Sequence, residues 1–276
     1  MTKPGIRLYA AGTVVLLMTL ASSPAGAQYK PRTVSGGAVG ENYHVELGAG
    51  LWNPSADMSL ANTVLDQTGT TINLKSDLGL QDQRFPGFDL ILRPSVKQKF
   101  RVQLVPVHYS QTGTPRSSLT FGGQTFPVGV PVSSTIHLKA WRFGYEYDFA
   151  VASRGFVGMI VDVKYTTVDA SLTDVAGATR AASASAPLPA LGGIIRIYPL
   201  ARLAVTGELT GFKVPGSWLK SASGHYLDFD AYATLNLVNS VGVRAGYRSF
   251  DLEYTMTNDT GTFKLEGPYF GAVIRF

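Results

Sequence analysis

The sequence predicts an antiparallel transmembrane β-barrel of ten strands, with eight as the competing count. Three observations carry this. From Glu41 onward, apolar and polar residues alternate at period two in run after run, the pattern of strands with one apolar and one wet face. The connections between runs are alternately short and long, as in barrels with tight turns on one side of a membrane and loops on the other. The last run sets Phe276, Ile274, Ala272, Phe270 and Pro268 against Arg275, Val273, Gly271 and Tyr269, and ends on an aromatic. In a soluble sheet that end would be a free edge inviting association; a closed barrel has no edge and places aromatics at the lipid–water interface.

Met1–Ala27 reads as a secretory signal peptide. Lys3 and Arg7 form the positive start, residues 14–20 are apolar, and Ala25-Gly26-Ala27 is a small-residue cleavage site. The apolar stretch is shorter than the ~20 residues a spanning helix needs. Residues 28–40, with Pro31 and adjacent glycines, read as a flexible periplasmic lead-in, leaving 41–276 for the barrel.

The first strand, about 42–52, sets Tyr43, Val45, Leu47, Ala49 and Leu51 against His44, Glu46, Gly48 and Gly50. A long connection with TTINLKSDLGL leads to strand two (88–93), and a short turn to strand three (99–109). A Gly/Pro/Ser/Thr stretch to about Ser134 precedes strand four (136–149), whose Trp141, Phe143, Tyr145, Tyr147 and Phe149 face outward. Strand five carries Val157, Met159, Val161, Val163 and Tyr165. Residues 169–186, rich in Ala, Ser and Thr and free of aromatics, read as a mobile loop. Strands six (188–198) and seven (202–212) flank a short turn. A loop with Trp218 precedes strand eight (227–237), Asn239-Ser240 turns into strand nine (241–248), and a polar tip at 258–261 feeds the last strand.

Composition narrows the class further. The net charge is +5, reduced by loss of Lys3 and Arg7, and no basic run occurs, so nucleic acid is not an expected partner. There are no cysteines, so disulfides do not stabilise this exported chain. A soluble β-sandwich or lipocalin-like barrel would bury the apolar face. Against that, the polar face is rich in glycine and oppositely charged pairs, and aromatics gather at strand ends. The phase points Arg142, Asp162, Glu208, Asp230, Arg244 and Arg248 inward as a lumen charge network. Simple hairpin registers set Asp230 opposite Arg248 and Arg142 opposite Asp162. The other inward charges on this phase include Arg202. A filled lumen is expected over an open pore, and the balance of signs argues against ion selectivity.

One stretch invites a test for catalysis. His108 and Ser110 lie two apart on the lipid-facing side of strand three, and a neutral imidazole beside a serine is a base–nucleophile pair. No metal site or cofactor is expected, because His44-x-Glu46 and the isolated His137 lack further ligands at recognisable spacing.

GPYFGAVIRF resembles the C-terminal signature of small Gram-negative outer-membrane barrels. The resemblance implies an outer-membrane location with both termini periplasmic, recognition of Phe276, Ile274 and Phe270 by the barrel-assembly machinery, a monomer, and lipids and lipopolysaccharide as surroundings. Leu78-Gly79-Leu80 is faintly similar to the outer-membrane protein W group, and GFKVPG (211–216) and GHYLDFDAYAT (224–234) resemble an uncharacterised set of barrels. His108-x-Ser110 is similar to the His-x-Ser element of lipid A deacylases. His225 with Asp228 and Asp230 resembles the rim residues of omptin proteases, without their Asp-x-His spacing. The expected function is a non-enzymatic envelope-structural barrel or narrow small-solute channel. The alternatives are a deacylase-like hydrolase and a loop-mediated adhesin.

Overall fold

The computed structural model describes residues 38–62, 71–116, 118–121, 123–214, 222–256 and 259–276. The signal-peptide reading, nearly all of the lead-in and the Trp218 loop lie outside them. In chain order the strands are β1 (Val45–Trp52), β2 (Ser55–Asn62), β3 (Ile72–Asn73), β4 (Phe85–Ser95), β5 (Gln98–Gly113), β6 (Leu119–Phe121) and β7 (Gln124–Phe126). They continue with β8 (Val132–Ala152), β9 (Gly155–Thr173), β10 (Thr179–Leu200), β11 (Leu203–Val214), β12 (Ala222–Asn236), β13 (Val241–Met256) and β14 (Asp259–Arg275).

All pairings are antiparallel. β1 pairs with β4 on one side and with β14 on the other, from Glu46↔Arg275 to Trp52↔Tyr269, which closes the sheet. β2 continues the line of β1 along β14, while β6 and β7 pair with each other as a separate hairpin. The wall is therefore a ten-stranded barrel.

Why the sheet closes around a polar interior follows from the alternation. The outward set is apolar and exposed over a continuous belt that includes Leu47, Phe88, Phe100, Phe143, Val161, Ile195, Leu209, Phe229, Val243 and Phe270. No water-soluble fold leaves so large an apolar band uncovered. A lipid phase is the solvent that such a belt fits, and hydrogen-bonded closure satisfies the backbone there. The barrel is a transmembrane one.

The strands outrun the belt at the long-loop end. β10 has 22 residues, which at ~3.3 Å each and a tilt near 40° rise about 55 Å, roughly twice the ~25 Å apolar band. This corrects the mobile-loop expectation for 169–186. Residues 169–173 finish β9, residues 179–186 open β10, and the two register from Thr173↔Thr179 downward. The tip is only Asp174–Ala178, where Asp174 Oδ1 accepts N–H bonds from Ala176 and Ala178 at 2.9 Å, and Gly177 takes φ +84°. The segment looked like loop because its outward residues are small and polar. Its inward residues Ala170 and Leu172 are nevertheless buried, as is Val168 just before it. Similarly, much of 110–134 is strand: β5 runs to Gly113 and β8 starts at Val132.

Inside this extension lies the apolar core. Met58, Tyr109, Leu119, Phe126, Ile136, Leu138, Phe263 and Leu265 are almost fully buried. The segment after β3 and the β6–β7 hairpin turn inward to supply Leu74, Leu78, Leu80, Phe121 and Phe126 to the same cluster.

Candidate functional site

The lumen at belt height is the densest concentration of chemistry in the molecule. Each charged side chain stands on the inward phase of its strand, where lipid is excluded and a partner is in reach. Asp162 accepts from Arg142 Nε at 2.7 Å, and Glu208 accepts from Arg142 Nη1 at 3.3 Å and Arg101 Nη2 at 2.6 Å. Arg101 also reaches Glu146 at 3.0 Å, and Lys99 bridges Glu146 at 2.5 Å and Asp148 at 2.8 Å. Farther round, Lys164 donates to Asp228, Thr210 and the Tyr226 hydroxyl at 2.6–2.8 Å. Glu46 holds both Arg244 at 2.8 Å and Arg275 at 2.5 Å. Paired charges of this kind, removed from water, hold one another through several hydrogen bonds each.

The registers refine the expected pairs. Asp230 and Arg248 are opposite in β12–β13, yet the Arg248 guanidinium turns to Asp228 at 2.8 and 3.1 Å, and Asp230 accepts from the Tyr269 hydroxyl at 2.9 Å. Arg142 stands opposite Lys164, not Asp162, because the turn is only Ser153-Arg154, with Ala152 paired to Gly155, and a bulge between Tyr147 and Ala150 then shifts the register by one residue. Asp162 stands opposite Gly144, and the guanidinium reaches it diagonally. A Cβ at Gly144 would collide with Asp162 Oδ1, so the glycine makes room for the carboxylate. Arg202, placed inward by sequence, is exposed at the β10–β11 turn and donates to the Leu237 carbonyl.

Sequence reasoning missed three charges. Lys99 is 2 % exposed and opens the third strand on the same phase as Arg101, so the alternation already pointed it inward. Glu46 was on the correct face but unpartnered until β13 and β14 were brought beside it. Glu41 was not findable, because it precedes the first strand.

Glu41 belongs to a strap across the short-turn mouth. The Val39 N–H donates to Ala201 carbonyl at 2.7 Å, the Gly40 N–H to Asn239 Oδ1 at 3.2 Å, and Asn236 Nδ2 to the Val39 carbonyl at 2.6 Å. Glu41 then enters the lumen and accepts from Arg196 at 3.0 Å. Gly40 has φ +83°, and a side chain there would meet Asn236 and Arg275.

Between strap and apolar core the described residues leave a small space. One cavity at this height, about 60 Å³, is lined in part by Asp89, Gln103, Asp230, Arg244, Arg248 and Tyr269. That volume accommodates a few water molecules and no larger solute.

His108 and Ser110 do face outward beyond the belt. Opposite His108 in the β5–β8 register stands His137, with the two Nδ1 atoms 3.0 Å apart. Among the described residues Ser110 has no side-chain hydrogen bond, so the geometry does not join it to His108 as a base–nucleophile pair. His225 also faces outward, 3.8 Å from Asp251 and 3.7 Å from Glu253, whereas Asp228 and Asp230 point into the lumen. Among the described residues, no group of three or more His, Asp or Glu side chains converges on a metal position.

No family model matches this sequence, and no curated protein matches it. Solved structures do match. The outer-membrane protease OmpT of Escherichia coli aligns with a TM-score of 0.54 at 5% identity, covering 88% of this chain and 100% of that one. The toluene transporter TodX of Pseudomonas putida (TM-score 0.35, 10% identity, 88% and 93% covered) is also matched. So is the attachment invasion locus protein Ail of Yersinia pestis (TM-score 0.37, 8% identity, 84% and 97% covered). At these identities the likeness concerns architecture: the chain has the fold of Gram-negative outer-membrane barrels.

Proposed function

We propose that this chain is an outer-membrane barrel with a shut lumen, which serves the envelope as a structural element and presents a polar extension at the cell surface. The observation that carries the reading is the continuity of the filling. The strap covers one mouth, paired charges occupy the belt, and an apolar core occupies the extension. A channel needs a wet path with sites weak enough to release what they bind. Here the inward cations and carboxylates are spent on one another.

In this reading the short-turn end, with Phe276, faces the periplasm and the extension faces outward, following the usual asymmetry of the class. The outward, exposed Phe270, Ile274 and Phe276 are the residues offered to the assembly machinery. The barrel stands as a monomer among outer-membrane lipids and lipopolysaccharide. Purified protein that migrates as a heat-modifiable band should give no unitary conductance in a planar bilayer. Reproducible conductance steps would overturn the shut-lumen reading and favour narrow solute passage.

A further inference from the structure

The outward face of β5, β8, β9 and β10 carries a row of side chains that the barrel itself does not need. His108, His137, Asp169 and Ser183 are register partners in successive strands. The row lies four residues beyond Trp141 and Tyr165, which are the last aromatics of the belt on β8 and β9. At ~3.3 Å per residue and a tilt near 40° this is about 10 Å above them, where headgroups give way to water. All four side chains are exposed. Lys139 and Thr167 occupy the row beneath.

The two imidazoles form an unusual contact. Their Nδ1 atoms are 3.0 Å apart, the ring centroids 4.2 Å apart, and the planes are inclined by 30°. Without a third party, this contact requires one ring to be the Nδ1–H tautomer and its neighbour the other, sharing a single proton. A metal ion replaces that proton without requiring unlike tautomers. Two nitrogens bound at 2.0–2.1 Å lie about 2.9 Å apart at a right angle and about 3.3 Å apart at a tetrahedral one. The observed 3.0 Å sits close to the right-angle value, which suits the tetragonal preference of Cu²⁺ or Ni²⁺.

The neighbours favour a cation over an anion. An anion would face the carboxylate of Asp169, which adjoins His137 in register. A cation gains from that carboxylate. Asp169 also accepts from Ser183 Oγ at 2.5 Å, which fixes its position in the row.

We infer that His108 and His137 form a surface site for a divalent transition-metal ion, with the remaining coordination positions open towards the headgroup layer. The inference is independent of whether the lumen conducts. Its test uses the full chain in detergent micelles, carrying no added histidines, with Cu²⁺ as the probe. Electron paramagnetic resonance should show one equivalent of tetragonal copper with hyperfine coupling to two imidazole nitrogens. That signal should be lost in both His108→Ala and His137→Ala and kept in Ser110→Ala. Heat-modifiable migration checks that each variant is folded, and both histidines lie outside the core. A signal that survives in folded His108→Ala or His137→Ala, or a wild-type protein without two-nitrogen copper, would overturn the site.

Discussion

Glu208 is the side chain on which the lumen network turns, and its removal gives the sharpest test of that network. It is 4 % exposed and accepts from Arg101 at 2.6 Å, from Arg142 at 3.3 Å and from the Tyr232 hydroxyl at 3.1 Å. Glu208→Ala leaves two buried guanidinium groups short of a partner. Breaking a buried pair by deleting one side costs about 3–5 kcal/mol, because the surviving charge stays buried. Arg101 retains Glu146 and Arg142 retains Asp162, so the loss belongs at the lower end, about 3 kcal/mol. Reversible urea unfolding in lipid vesicles, followed by tryptophan fluorescence and gel mobility, reads this as a lower midpoint at unchanged slope. An unchanged midpoint in the correctly inserted variant would show that the network contributes nothing and that the filling argument is wrong.

Two further outcomes follow. Phe263 is 0 % exposed in the core of the extension, so Phe263→Ala should cost about 3–5 kcal/mol there. Limited proteolysis should then cut the extension while the belt remains protected; equal protection of both would contradict a separate apolar core. In the segment after β3, burial alone would raise the Asp82 carboxyl. The Ala56 N–H at 3.0 Å and the Lys75 ammonium at 3.0 Å outweigh burial and hold it below the ordinary carboxylate value. A depressed folded-state value means that the contact is intact at neutral pH and is lost as pH falls through that lowered value. Amide exchange at Ala56, corrected for intrinsic rate, should accelerate there and not at higher pH; pH-independent protection would refute it.

Much of the architecture was legible because a membrane barrel writes its two solvents into alternate residues. Leu227, Phe229 and Leu235 against Asp228, Asp230 and Thr234 leave little choice of phase. The upper parts of β9 and β10 were not legible, because outside lipid the outward face no longer has to be apolar. Ser, Thr and Asp there look like loop, and only inward Val168, Ala170 and Leu172 betray the strand. Within the lumen, phase told which charges point inward but not which meet. The tight Ser153-Arg154 turn and the bulge near Tyr147 set Arg142 opposite Lys164, and long side chains then chose diagonal partners. The His108–His137 contact joins residues 29 apart through a register that no local pattern fixes.

The way β1 gives way to β2 has a consequence for where this sheet can be left open. In the belt, β1 is bonded on both flanks. Beyond Trp52 the line continues as β2, bonded to β14 and briefly to β3, while the β4–β5 register ends at Phe88↔Leu104 and β5 continues to Gly113. The slit between these flanks is occupied by the inward-turned segment after β3, whose Leu78 carbonyl lies where a Cβ on Gly113 would sit. An unzipped flank in hydrocarbon would strand backbone donors and acceptors without partners; in water they are solvated at little cost. The molecule therefore confines this seam to the aqueous side. There a length of chain can serve as the closing piece, and sequence change in that piece need not compromise the part embedded in lipid.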